Sequence, residues 1–176
     1  MMRLGCQCQC KLPMSSSTSL PELPGLGFLV GLKLSHREFL ASFGEYVRVK
    51  NGEIVIEEGA AQNNLYLILS GMLHVVTTAG NRSLLIATLG AGDSLGEVNL
   101  FDPASASASV IARSDCLIWR ITNDQLKMFF AADPEAGLDL MQGLLRLSAR
   151  RIRAMNAKLV DSEEKSSFHD FWKASE

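Results

Sequence analysis

From residue 46 onward the apolar positions fall in short, evenly spaced runs. Tyr46, Val47 and Val49 are followed by Ile54-Val55-Ile56, Leu65-Tyr66-Leu67-Ile68-Leu69, Leu73-His74-Val75-Val76, Leu84 through Leu89, Val110-Ile111 and Cys116-Leu117-Ile118-Trp119. β-Branched and aliphatic residues fill these runs and turn signals bound them, which predicts strands. Asn51-Gly52 favours a tight turn joining the first two strands as a pair that Gly59 closes, and Ser70-Gly71 and Ala79-Gly80-Asn81 part the next three. Short strands with glycine-bearing turns every eight to twelve residues or so predict a sandwich or barrel. The strand–helix alternation of a doubly wound sheet is absent.

Helical periodicity flanks this block. Ser35-His36-Arg37-Glu38 has the spacing of a capping box and predicts a short helix through about Phe43. Thr122-Asn123-Asp124-Gln125 is a second such box. Asp133-Pro134-Glu135 supplies an N-cap, a proline at the first helical position and an acid in the first turn, opening a last helix that runs to about Val160. Along it Leu138, Met141, Leu145, Ser148, Ile152, Met155 and Leu159 recur at alternating steps of three and four, a heptad seam. Such a stripe either packs on its own domain or joins two chains. We read it as the interface of a parallel homodimer formed by Leu138, Met141, Leu145, Ile152, Met155 and Leu159.

Composition narrows the class. A chain of 176 residues suits one domain. Its apolar share of 47% and charged share of 20% are those of an ordinary globular protein. The formal charge of -2 gives no global field that would draw nucleic acid or an anionic membrane. Apolar stretches such as Phe28–Val30 and Leu84–Ile86 are too short to span a bilayer, and no secretory leader pattern is seen, so a cytoplasmic location is expected. The expected organisation is a polar tail over 1–22, a strand-rich domain with short helices over 23–133, the long helix over 134–160 and a second tail over 161–176. Cys6, Cys8 and Cys10 lack a second C-x-x-C pair and a neighbouring histidine, so neither a metal nor a cofactor is expected. His36, His74 and His169 form no H-x-H or H-x-x-x-H pair, and no G-x-S-x-G elbow is present, so catalysis is not expected.

One stretch carries chemistry: Leu89-Gly90-Ala91-Gly92-Asp93-Ser94-Leu95-Gly96-Glu97-Val98-Asn99-Leu100-Phe101. Gly90 and Gly92 permit positive φ, and Gly96-Glu97-Val98 would open a short helix whose free N–H groups attract an anion. The stretch resembles the phosphate-binding cassette of the cyclic-nucleotide-binding family, which includes the catabolite activator protein, kinase regulatory subunits and gated channels. Gly59, Leu65 through Gly71, the closing Val110 and Ala149-Arg150-Arg151-Ile152 fall in the family's order, so the resemblance covers roughly residues 25–160. It implies a mainly β fold with flanking helices: a double-stranded β-helix, a jelly-roll-like β-roll, followed by a long C-terminal helix. It implies cAMP or cGMP as ligand, with Gly96, Glu97 and Val98 in the cassette and the Glu97 carboxylate on the ribose 2′-hydroxyl. It also implies that the last helix pairs across a dimer and passes over the pocket, with Met155 and Asn156 nearest the base.

The sequence departs from the family at one position. Counting back from Val110, the arginine that would hold the cyclic phosphate is Ala106, followed by Ser107. A charge-assisted bond contributes about 1.5–3 kcal/mol and breaking a buried charged pair costs about 2–5 kcal/mol, on the order of ten- to several-thousandfold in affinity. Arg113, seven residues beyond Ala106, would face the opposite side of a regular strand. Glu97 and Asp102 make the pocket more acidic than the family pattern. The function expected is therefore a non-catalytic regulatory module with an altered or vestigial nucleotide pocket that signals through its C-terminal helix. Two alternatives stay open: a degenerate dimerising or docking scaffold for an unidentified protein partner, and a transcription-associated regulator lacking its own DNA-binding domain. Arg146, Arg150, Arg151, Arg153 and Lys158 read as a solvated helix face more readily than as a nucleic-acid surface. Phe168, Phe171 and Trp172 read as packing back on the roll.

Overall fold

The structure, a computed structural model, describes residues 22–80, 82–101 and 104–173. A 3-10 turn at Gly27–Leu29 leads into α1 (Leu34–Ala41). Then follow β1 (Glu45–Val49), β2 (Ile54–Ile56), β3 (Asn64–Ser70), β4 (Leu73–Ala79), β5 (Arg82–Leu89) and β6 (Ser94–Leu95). The chain continues through α2 (Glu97–Phe101), β7 (Ser109–Ala112), β8 (Cys116–Thr122), α3 (Asn123–Ala132) and α4 (Pro134–Lys173). The strands form two antiparallel four-stranded sheets, β1-β8-β3-β6 and β2-β7-β4-β5, the β-roll that the sequence predicts.

β3 and β8 occupy the middle of their sheet and are buried on both faces. Tyr66, Ile68, Cys116 and Ile118 point between the sheets, against Ile56, Leu73, Leu95, Val110 and Ala112. The alternate residues Leu65, Leu67, Trp119 and Ile121 face the helices, against Phe28, Leu40, Phe129, Leu140 and Leu144. Two-sided burial is the reason these strands read as unbroken apolar runs and not as alternating ones.

Several local expectations need correction. Asn51-Gly52 is a tight turn, but β1 and β2 do not pair. β1 pairs with β8 and β2 with β7, so the turn carries the chain from one sheet to the other. It is held from outside: the Gly52 N–H donates to the Ala112 carbonyl at 2.9 Å and the Asn51 N–H to Asp115 Oδ1 at 3.0 Å. A turn signal fixes a change of direction; the hydrogen-bonding partner is chosen by burial elsewhere. Ser35 is not an N-cap, because α1 starts at Leu34, two residues earlier than that cap implies, from Lys33, which makes no side-chain capping bond. α1 ends at Ala41 because Ser42 and Phe43 turn back with N–H bonds to the Phe39 and Leu40 carbonyls at 3.1 Å. The second box forms in full: Thr122 Oγ1 accepts from the Gln125 N–H at 3.2 Å and Gln125 Oε1 from the Thr122 N–H at 2.8 Å. β6 was not anticipated; two residues of the cassette pair with Tyr66 and Leu67.

Asp133 caps α4, its Oδ1 accepting from the Ala136 N–H at 3.0 Å. The helix does not stop near Val160 but continues to Lys173. Residues 161–173 contain neither glycine nor proline, and acidic residues alone do not end a helix. Its 40 residues span about 60 Å. Ala136, Leu140 and Leu144 bury one side against α3 and the 27–29 turn. A Cβ on Gly143 would overlap the Phe28 carbonyl oxygen, so this glycine sets how closely α4 approaches. The heptad seam faces away from the roll, with Leu145 64% and Ile152 59% exposed. Of that seam only Met141 and Ser148 are half-buried. Among the described residues no helix is long and apolar enough to cross a membrane, and no group of three or more His, Cys, Asp or Glu is placed to hold a metal. The cysteines of the N-terminal tail, the turn residue Asn81 and the side chains of Phe168, Phe171 and Trp172 lie outside what is described.

Candidate functional site

The cassette is built on the middle of β3. The Gly92 N–H donates to the Ile68 carbonyl and the Ile68 N–H to the Asp93 carbonyl, both at 2.9 Å. Asp93 Oδ2 closes the preceding turn by accepting from the Gly90 N–H at 2.8 Å. Gly92 and Gly96 have positive φ; Gly90, contrary to expectation, does not, because the turn places only its third residue in that region. Gly96 is doubly constrained: φ is +80° and a Cβ would overlap the Asn64 carbonyl oxygen. No other residue lets the chain pass this close to β3 and turn into α2.

That turn delivers Glu97 into the interior, where it is 7% exposed. Its Oε1 accepts from Arg151 Nη1, and Arg151 Nη2 donates to the Ser94 carbonyl at 2.7 Å. Glu97 Oε2 and Ser94 Oγ are buried and have no hydrogen-bond partner among the described residues. Burial holds the Arg151 guanidinium below its ordinary value, with the Asp93 carboxylate acting in the opposite sense. Arg151 lies on the α4 face that carries Leu140, Leu144 and Leu147, seven residues beyond Leu144, and so turns toward the roll.

Beside Gly96 lies a cavity of about 130 Å³ walled by Gln62, Leu95, Asn99, Ala106, Ser107 and Val110, among others. Ala106 is locked to the neighbouring loop by backbone bonds: the Gly59 N–H donates to its carbonyl at 2.8 Å and its own N–H to the Ala60 carbonyl at 2.9 Å. Gly96, Ala106 and Ser107 thus meet at one cavity, and Glu97 is not among its lining residues. Val98 is exposed, and Asn156 is exposed on α4 outside the cavity wall. No described residue of the wall carries a positive charge. Arg113 is engaged elsewhere, its Nε donating to His74 Nδ1 at 3.2 Å, and Arg82 is exposed at the start of β5.

The profile of the family described as cyclic nucleotide-binding domain matches residues 46–133. The chain belongs to the cyclic nucleotide-binding domain family. A CRP-like cAMP-activated global transcriptional regulator of Mycobacterium tuberculosis is 29% identical over 136 residues, 77% of this chain and 59% of the relative. The Pycsar effector protein BcPycTIR of Burkholderia cepacia is 31% identical over 120 residues, 68% of this chain and 38% of the relative. The chain therefore spans less than two thirds of the length of these curated relatives. Among solved structures, a cyclic nucleotide-binding domain from Methylobacillus flagellatus superposes with a TM-score of 0.69 at 25% identity, covering 74% of each chain. The Thermus thermophilus catabolite activator protein does so with 0.66 at 25% identity, covering 75% of this chain and 61% of that one.

Within this cyclic nucleotide-binding domain the residue that sequence reasoning missed is Arg151. It was grouped with the solvated arginines of α4, although its heptad relation to Leu144 marks it as inward-facing. Arg151 is the one cation in contact with the cassette among the described residues, yet it is committed. Withdrawing it toward a phosphate would strand the Glu97 carboxylate. That costs about 2–5 kcal/mol for a buried pair, toward the lower end here because 35% of the Arg151 side chain remains exposed. A new charge-assisted bond returns about 1.5–3 kcal/mol. The two ranges overlap, so the exchange is near balance, and Arg151 rests on Glu97 in this structure.

Proposed function

We propose that this chain is a non-catalytic regulatory module whose phosphate position is altered and whose cassette is coupled to a dimerising α4. The observation that carries the reading is the Arg151–Glu97 contact, which ties the long helix to the carboxylate of the cassette. A ligand that engages Glu97 competes or cooperates with Arg151, and the orientation of α4 changes with it. The exposed seam gives the helix a partner of its own kind. Each leucine, isoleucine or methionine fully buried there contributes about 1.5–3 kcal/mol, and an α-helical segment left alone in water is marginal below about 12–15 residues. Because the chain spans only part of its relatives, what it transmits to is left to the proteins or domains attached to it.

Two measurements test this reading. Sedimentation equilibrium should show a dimer at tens of micromolar, and Leu145→Asp or Ile152→Asp should give monomers. A wild-type monomer, or a dimer that tolerates both changes, overturns the dimer. Calorimetric titration should show Ala106→Arg strengthening binding of cAMP or cGMP at least about tenfold, since one charged pair is worth roughly 1.4 kcal/mol or more. If the wild type binds either at micromolar affinity and the arginine adds nothing, the phosphate position is not altered. The small cavity favours a second reading, a docking scaffold that binds no nucleotide. Its volume of about 130 Å³ is below the roughly 300–1,000 Å³ of ordinary ligand sites.

A further inference from the structure

We propose that a cleft where β1 and β3 end and β8 begins is a second ligand site, for a small organic monocarboxylate with an apolar body. The cleft has a volume of about 470 Å³, on the scale of ordinary ligand sites of roughly 300–1,000 Å³, and shares no lining residue with the cassette cavity. It stands apart from the cassette, so its test does not turn on the phosphate position. The outer face of the β1-β8-β3 sheet explains why it is open. The paired residues Leu65 and Ile121, then Leu67 and Trp119, are covered by the helices. The next pair, Ser70 and Leu117, follows a register shift, with Arg48 opposite Leu117 on β1. Here the cover ends: Ser70 and Arg48 are exposed and Leu117 is half-buried.

The lining is amphipathic. Val49 and Cys116 are buried and, with Leu117, give the cleft an apolar floor. Arg48 and Lys50 alternate with Val49 and both turn outward onto the rim. Neither side chain makes a hydrogen bond or ion pair with another described residue. Asp115 is the one carboxylate in the lining, and its Oδ1 already accepts from the Asn51 N–H at 3.0 Å. The lining thus carries two positive charges against one negative, an excess of one in a chain whose formal charge is -2. A single anionic group matches that excess. A planar carboxylate fits the guanidinium fork of Arg48, with the Lys50 ammonium alongside and the Ser70 hydroxyl as a further donor. The apolar body then covers Leu117 and the floor. The walls are fixed before a ligand arrives. The 51–52 turn is held by the Asn51 bond and by the Gly52 N–H on the Ala112 carbonyl at 2.9 Å. The β3–β4 hairpin is held by the Met72 N–H on Ser114 Oγ at 3.0 Å and the Arg113 N–H on the Met72 carbonyl at 2.8 Å. The ordering cost of binding therefore falls on two side chains and not on the backbone.

The test is a titration of the intact chain at low salt with phenylacetate, indole-3-acetate and octanoate, followed by heteronuclear NMR of the backbone amides. At least one of the three should bind with a Kd below about 1 mM, moving amides in 48–50, 70–72 and 115–117 and leaving those of the cassette in place. The corresponding neutral amide, which keeps the body and loses the charge, should bind at least about tenfold more weakly, and so should acetate, which lacks the body. Arg48→Gln and Lys50→Gln, both on the exposed rim, should each weaken binding about twofold or more and together about fivefold or more. Asp115→Asn keeps an acceptor for the Asn51 N–H while removing the opposing charge, and should strengthen binding about twofold or more. No movement of these amides up to about 10 mM of any of the three acids overturns the proposal. So does equal binding of the neutral amide, or an affinity that the Arg48→Gln, Lys50→Gln double variant leaves unchanged.

Discussion

Replacing Arg151 with methionine keeps most of the aliphatic stem and removes the guanidinium. The Glu97 carboxylate, 7% exposed, then loses its one hydrogen-bonding partner among the described residues, and the Ser94 carbonyl loses the donor at 2.7 Å. Stranding a buried charge costs about 2–5 kcal/mol, and the partial exposure of Arg151 places the expected loss near 2–3 kcal/mol. For a domain of this size each kcal/mol lowers the melting temperature by about 2–4 °C, so Arg151→Met should lower it by roughly 4–12 °C. Glu97→Gln in the same background removes the stranded charge while keeping the shape. The double variant should therefore recover most of the loss. Urea unfolding of the wild type, both single variants and the double variant, at one fixed protein concentration because the chain is expected to dimerise, yields the coupling energy directly. A coupling below about 0.5 kcal/mol, the scatter expected of independent sites, would refute the claim that helix and cassette are energetically joined.

Other consequences are quick to check. Gly96→Ala forces a Cβ into the Asn64 carbonyl at positive φ and should lower the melting temperature by more than about 5 °C, given roughly 1–3 kcal/mol for such strain. Thr122→Ala removes one arm of the capping box before α3, at about 1 kcal/mol or 2–4 °C in a thermal melt. Gly143→Ala pushes α4 off the Phe28 carbonyl and should raise amide exchange in residues 27–32; unchanged exchange would show that the helix absorbs the methyl without shifting.

The architecture was legible where burial writes a pattern that the chain repeats. β3 and β8 announced themselves as apolar runs because both faces are covered, and seven of the eight strands followed from the runs between turns. Pairing was less legible. Asn51-Gly52 looks the same whether it closes a hairpin or crosses between sheets, since both need the same backbone bend. β6 was invisible because Ser94-Leu95 is too short to carry a period. In the site, the resemblance to the family located the cassette and, by counting back from Val110, implied the missing cation at Ala106. Arg151 was obscured by its neighbours. Arg150 and Arg153 are exposed on α4, and charge alone does not tell an inward arginine from an outward one; only its step of seven from Leu144 does.

The reach of α4 beyond the Arg151 contact has a mechanical side. From Ile152 to Lys173 the helix continues for about 33 Å at 1.5 Å per residue. It is anchored at one end by Gly143 against Phe28 and by Arg151 on Glu97. A stiff rod held this way magnifies angle into displacement: a tilt of about 5° at the Arg151 anchor carries the far end through roughly 3 Å. That is enough to disengage a knob from its hole in a paired helix. In the proposed dimer, a change no larger than one guanidinium leaving one carboxylate would be read out tens of ångströms away.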